Sequence, residues 1–108
     1  MTDANEQSNP STGSRPLTIA IDYDDTFDAA ALMWTEFVKT ATKHGHKVVC
    51  ITARRKTFDN QKELRDTLPE EVEAHFSYDE PKADYAKRHG IAVDIWIDDR
   101  PGWIVGIT

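Results

Sequence analysis

Apolar residues along this chain fall into short solid runs that alternate with longer stretches of helical spacing. Leu17-Thr18-Ile19-Ala20-Ile21 is apolar nearly throughout and rich in β-branched residues, the pattern of a strand buried on both faces of a parallel sheet. It runs directly into Asp22-Tyr23-Asp24-Asp25-Thr26. From about Ala29 to His44, apolar positions (Ala30, Met33, Trp34, Phe37, Val38, Ala41) recur three and four residues apart and predict a helix. Asp28 is placed to cap it and Gly45 to end it. Lys47-Val48-Val49-Cys50-Ile51 reads as a second strand ending at Thr52-Ala53-Arg54. A helix is predicted from Asp59 to Leu68, stopped by Pro69.

Ala74 to Ser77 is a weaker strand candidate. Pro81 is expected as the first residue of a helix running to about His89, closed by Gly90. Asp94 to Ile97 is a further strand, ending at Asp98-Asp99, and Trp103 to Ile107 is expected as a last short strand. Strands alternating with helices predict an α/β domain with right-handed crossovers and a mostly parallel sheet covered on both faces. Ligands of such sheets bind beyond the carboxyl ends of the strands. Asp22, Thr52 and Asp98 each follow directly on a strand run, so parallel strands would set all of them along one rim.

Composition refines this picture in a few places. The stretch from residue 1 to 15 is polar, without apolar periodicity, and is expected to be a disordered tail; residues 16–108 are expected to form one domain. A net charge of -6 (Asp+Glu 19, Lys+Arg 13) argues against a broad nucleic-acid-binding face. The single cysteine, Cys50, excludes an intrachain disulfide framework and sits where a buried small hydrophobe would. No apolar run approaches the ~18 residues of a membrane span, and the N-terminus lacks a secretory pattern. A cytoplasmic location without membrane partners is therefore expected.

The acidic clusters carry the chemistry. Asp22, Asp24 and Asp25 crowd within four positions, and their mutual repulsion calls for compensation, which a hard cation such as Mg²⁺ supplies. A solvated acidic turn explains the cluster equally well on its own. The second pair, Asp98-Asp99, at another strand end shifts the balance toward a shared metal site. A hydroxyl at Thr52 with nearby backbone N–H groups suits a phosphate oxygen. Lys82, in the first turn of its helix, opposes the helix dipole, a mild oddity that a functional role would explain, although taken alone it reads first as an exposed surface lysine. Arg54 and Arg55 follow the second strand closely enough to face a substrate, or to be solvated. Trp34, Trp96 and Trp103 read as core, and the histidines show no metal-ligand spacing.

Taken together, these residues resemble the haloacid dehalogenase superfamily. Asp22-Tyr23-Asp24-Asp25-Thr26 after an apolar strand is similar to its Asp-x-Asp-x-Thr motif. Thr52 ending the next strand, the helical Lys82 and the Asp98-Asp99 pair resemble the motifs that follow. The match runs from Leu17 to the C-terminus. It departs at Asp25, where the family most often has glycine; an unusual backbone conformation is expected there, which Asp tolerates better than most residues. The resemblance implies a three-layer Rossmann-like fold and a Mg²⁺-dependent phosphate monoester phosphatase. Asp22 would be the nucleophile, forming an aspartyl-phosphate, and Asp24 the general acid and base. Lys82, Thr52 and Ala53 would hold the phosphoryl group. Asp22, the Asp24 carbonyl, Asp98 and Asp99 would hold the metal, with either of the last two as inner ligand.

Little chain is available for a cap domain. A few residues separate Thr26 from its helix, and Arg55 to Glu73 would hold one helix and a connection. An open site is expected, taking a small or macromolecular phosphorylated substrate. Nucleic acid is not indicated by the charge, and oligomerisation is left open. A non-catalytic phosphate- or metal-binding module and a phosphotransferase are the alternatives. A two-component receiver fits less well, because its acidic pair precedes its acceptor Asp whereas here the pair comes late.

Overall fold

The computed structural model describes residues 15–106; the expected tail, apart from Arg15, and Ile107 lie outside the described residues. Four strands, β1 (Thr18–Ile21), β2 (Lys47–Thr52), β3 (Glu73–Phe76) and β4 (Ile95–Ile97), form one all-parallel sheet in the order β3-β2-β1-β4. Between them run α1 (Ala31–Lys43), α2 (Phe58–Thr67) and α3 (Lys82–Arg88), and α4 (Gly102–Val105) follows β4. No cap domain is present among the described residues, and no helix there is long and apolar enough to cross a membrane.

The period-two geometry of the central strands explains how helices come to cover both faces. Ile19 and Ile21 of β1 point with Val48 and Cys50 of β2 toward Val38 and Ala41 of α1 and Leu64 of α2. Ala20, Val49 and Ile51 point the other way, where Ala86 and Tyr85 of α3 and Trp96 of β4 meet them. Full burial of side chains such as Ile21, Val49 and Ile51 is worth roughly 1.5–3 kcal/mol each. Cys50 lies in this core as expected, and burial pushes its thiol far above the ordinary value.

The chain order fixes where a crevice can form. From β1 the connections through α1 and α2 carry the chain outward to β2 and β3 on one side. The connection through α3 then returns it across the other face to β4, on the opposite side of β1. The direction of winding therefore reverses between β1 and β4, and doubly wound sheets open a crevice at the carboxyl ends of such neighbours. The Asp22 N–H donates to the Ile97 carbonyl at 2.9 Å, holding these two strand ends together.

Several boundaries differ from the sequence pattern for local reasons. Asp28 does not cap α1. It opens a single 3₁₀ turn, Asp28–Ala30, and its Oδ1 accepts the Asp25 N–H at 2.8 Å. Thr57 caps α2, its hydroxyl accepting the Asn60 N–H at 3.1 Å. Pro81 precedes α3 with extended backbone (ψ 138°) and does not form its first turn. Asp94 stands outside β4, and its carboxylate accepts the Thr18 N–H at 2.8 Å at the start of β1.

The largest correction is at the C-terminal end, where the expected strand beginning at Trp103 is the helix α4. Aromatic and β-branched residues there favour a strand, but Pro101 is set at φ -59°, ψ -22°, which starts a helical turn, and Gly106 closes it at φ 83°. Trp103 is correspondingly not core: it is 42% exposed.

Candidate active site

Asp22 follows β1 directly, still extended, and is buried. The turn that follows, Tyr23–Phe27, is held from inside by Tyr23 and Phe27, whose buried rings stack with centroids 6.3 Å apart. Its backbone is extended at Asp24 (ψ 128°) and left-handed at Asp25 (φ 61°). The unusual conformation expected at Asp25 is therefore present. It lets the chain reverse and bring Thr26 back under Asp22. The Thr26 hydroxyl lies 3.3 Å from Asp22 Oδ2 and 3.2 Å from Asp99 Oδ1, and it accepts the Asp99 N–H at 3.2 Å. With one hydroxyl proton, it can serve only one of those carboxylates at a time.

Lys82 is the central cation. It opens α3 but is 2% exposed, so it is no surface lysine. Its Nζ donates to Asp22 Oδ1 and to Asp98 Oδ2, both at 2.7 Å. A buried ammonium opposing a helix dipole is stabilised by these two carboxylates. Asp98 Oδ1 accepts the Arg100 N–H at 2.8 Å, which fixes the turn after β4.

Asp22, Asp98 and Asp99 each offer an oxygen within 4.8 Å of the others. Counting Lys82, this group carries two net negative charges. Hard oxygen donors with that residual charge suit a divalent cation such as Mg²⁺. Protons report the same crowding. Burial foremost, with Asp98 and Asp99 adding to it, pushes the Asp22 carboxyl up to about 6 against the opposing pull of Lys82. Its hydrogen bond to Asp22 holds Asp99 below the ordinary carboxylate range.

The Asp24 carboxylate lies apart from this group. Arg54 grips it, with Nε at 3.0 Å from Oδ2 and Nη2 at 2.8 Å from Oδ1. The same guanidinium reaches Glu63 at 2.9 Å and lies 5.1 Å over the Tyr23 ring. Arg54 is the residue whose role sequence reasoning left open. Its signal was only its position two residues beyond a strand end.

Asp22, Asp24, Lys82, Asp98 and Asp99 line one cleft of about 250 Å³, with Ala53 on its wall. Asp25, Arg100 and Trp103 also line it, none of which was singled out for substrate. Thr52 is the exception among the sequence candidates. It is fully buried and does not line the cleft; its hydroxyl accepts the Arg54 N–H at 3.2 Å and its carbonyl accepts the Ser77 N–H at 2.8 Å. It shapes the wall on which Ala53 is displayed.

No protein-family model matches this chain, nor does any curated protein or solved structure. A buried carboxylate, a buried ammonium beside it and further carboxylates at the carboxyl ends of β1 and β4 set one cation among several hard oxygen donors in this cleft.

Proposed function

We propose that this chain is a Mg²⁺-dependent phosphate monoester hydrolase of the haloacid dehalogenase type. The observation that carries the reading is the buried Asp22, paired with Lys82 and set within 4.8 Å of Asp98 and Asp99 where the winding of the sheet reverses. The uncapped cleft is accessible to an ester from outside.

On this reading an Asp22 carboxylate oxygen attacks phosphorus in line. The phosphorus–ester oxygen bond breaks, and the leaving oxygen takes a proton from Asp24. Water then attacks the phosphorus of the aspartyl-phosphate and gives its proton to Asp24. Inorganic phosphate leaves and the Asp22 carboxylate is restored. Lys82 stabilises the phosphoryl oxygens, and the backbone at Ala53 offers a further contact on the cleft wall. Asp22, Asp98 and Asp99 would hold Mg²⁺, which supplies the positive charge that lets an anionic carboxylate meet an anionic phosphate. Asp24 must leave Arg54 to take part.

The test is phosphate release from an aryl phosphate and a panel of small esters, with Mg²⁺ or chelator. Metal-dependent turnover that is lost in Asp22→Asn supports the reading. Turnover that persists in Asp22→Asn would falsify the nucleophile assignment.

A further inference from the structure

A second cavity, of about 300 Å³, adjoins the cleft and shares Ala53 and Trp103 with it. Its other lining includes Tyr78, Asp79 and Glu80 from the turn after β3. A phosphate ester with its phosphorus at Asp22 would have its leaving group directed either into solvent or into this space.

The lining defines what that group can be. Two aromatic residues line the cavity, and both are far more exposed than core aromatics: Tyr78 at 48% and Trp103 at 42%. Each carries a guanidinium. Arg55 lies 4.6 Å over Tyr78 and donates to its hydroxyl, and Arg100 lies 5.8 Å over Trp103. Neither arginine lines this cavity; Arg100 belongs to the cleft beside it. Tyr78 also holds a left-handed backbone (φ 55°), which a bulky non-glycine residue adopts at a cost and which marks functional turns.

The charged lining is acidic. Glu80 is bound by Arg88 through Nη2 at 2.6 Å and Nε at 3.1 Å, so Asp79 is the less engaged acceptor. No lysine or arginine lines this cavity, which disfavours a second phosphate or an acidic peptide there. Aromatic surface with carboxylate acceptors suits an uncharged planar ring system bearing hydroxyl or amino donors.

We propose that this cavity binds the leaving group as a nucleoside, making the substrate class a free nucleoside monophosphate. The proposal rests on the phosphatase reading for its chemistry but not for its binding site. Base stacking on an aromatic ring is sequence-tolerant, so purine and pyrimidine nucleosides both fit it. The net charge of -6 and the acidic lining favour a free nucleotide over the end of a nucleic-acid strand, whose neighbouring phosphates would be repelled.

The experiment has two arms. In the first, adenosine and uridine, which carry no phosphate, are titrated against the full chain by calorimetry. Binding is expected, weakened about tenfold in Tyr78→Ala and in Trp103→Leu. Absence of nucleoside binding to wild type, or unchanged binding in both variants, overturns the proposal.

In the second, turnover of adenosine 5′-monophosphate is compared with ribose 5-phosphate and with a 5′-phosphorylated oligonucleotide. The mononucleotide is expected to have a kcat/KM at least tenfold above ribose 5-phosphate, and the ratio is expected to fall in both variants. Equal values overturn the nucleoside assignment while the hydrolase reading stands. Preference for the oligonucleotide overturns the free-nucleotide assignment. Nucleoside binding without turnover of any ester overturns the hydrolase reading and leaves the nucleoside pocket supported.

Discussion

Arg54 holds Asp24 through two nitrogens, at 3.0 Å and 2.8 Å, and thereby keeps its carboxylate apart from the Asp22 group. The pair joins the end of β2 to the turn after β1, with Glu63 of α2 as a second anchor at 2.9 Å. Hydrogen bonds to Asp24 and Glu63 also raise the guanidinium further above its ordinary value, so it stays charged at any working pH. Being partly exposed, the pair should contribute only about 0.5–1 kcal/mol. A double-mutant cycle of Arg54→Ala and Asp24→Asn, read by urea unfolding, is expected to return a coupling of that size. Strict additivity would mean that the pair does not form in solution.

The acid role proposed for Asp24 makes a separate prediction. An alkyl phosphate needs a proton on its leaving group, whereas p-nitrophenyl phosphate does not. Asp24→Asn is expected to slow the alkyl ester about 10²–10⁴-fold and the transfer of the activated aryl group far less. Burst kinetics with both esters separate that transfer from the water step. Equal losses on both would remove Asp24 from the acid role.

Lys82 neutralises buried carboxylates at both strand ends, so its loss should be costly. Lys82→Met leaves Asp22 and Asp98 facing each other without an ammonium, and roughly 3–5 kcal/mol of stability is expected to go. Mg²⁺ should restore part of it by supplying positive charge. Denaturant melts with Mg²⁺ and with chelator measure both effects; an unchanged midpoint would contradict the buried pairing.

The Asp22 carboxyl, pushed up to about 6, sets a pH window. Its folded value lies above the ordinary 3.8, so between the two the folded chain binds more protons than the unfolded chain. Its contribution to stability is therefore fully present below about pH 4 and is lost as pH rises through about 6, on the order of 3 kcal/mol in chelator. A Mg²⁺ ion held by Asp22, as proposed, would compete with that proton, so the rise in Tm on adding Mg²⁺ should be larger at pH 7.5 than at pH 5. Equal rises at both would place the cation away from Asp22.

Asp25 occupies a left-handed conformation with its N–H bound to Asp28. Asp25→Gly should change stability by less than about 1 kcal/mol, because relief of strain offsets the added freedom of the unfolded chain. Asp25→Val should cost about 1–2 kcal/mol. Thermal melts of the two variants check the contrast; a Val variant as stable as the Gly variant would mean that the turn is not held in this conformation.

The strands and the rim were legible in the sequence because apolar runs such as Ile19 to Ile21 and Val48 to Ile51 have one physical outcome, burial on both faces, and their ends fix where Asp22 and Thr52 emerge. The convergence of Asp22 and Asp98 followed from parallel order alone. Pairwise choices were less legible. Nothing in local spacing tells Arg54 to bind Asp24, thirty positions earlier, or turns Asp28 from a helix cap into a partner of Asp25. The surroundings of Thr52 were less legible, because a strand-end hydroxyl can face the rim or bond back to its own turn, and here it accepts the Arg54 N–H. The helix at Trp103 was missed because propensity favoured a strand, while Pro101, Gly106 and packing against α3 decided otherwise.

Lys82 binds partners that are far apart along the chain, Asp22 sixty positions before it and Asp98 sixteen after it. The Asp98 contact closes only when β4, a three-residue edge strand paired with β1, has docked, because Asp98 follows that strand directly. Assembly of the cleft and completion of the fold are thus one event. A nascent chain that has made β1, β2 and β3 carries Asp22 but no finished site, so on the phosphatase reading turnover should emerge late in refolding, after most helical signal has returned, and serve as a clock for arrival of the last strand.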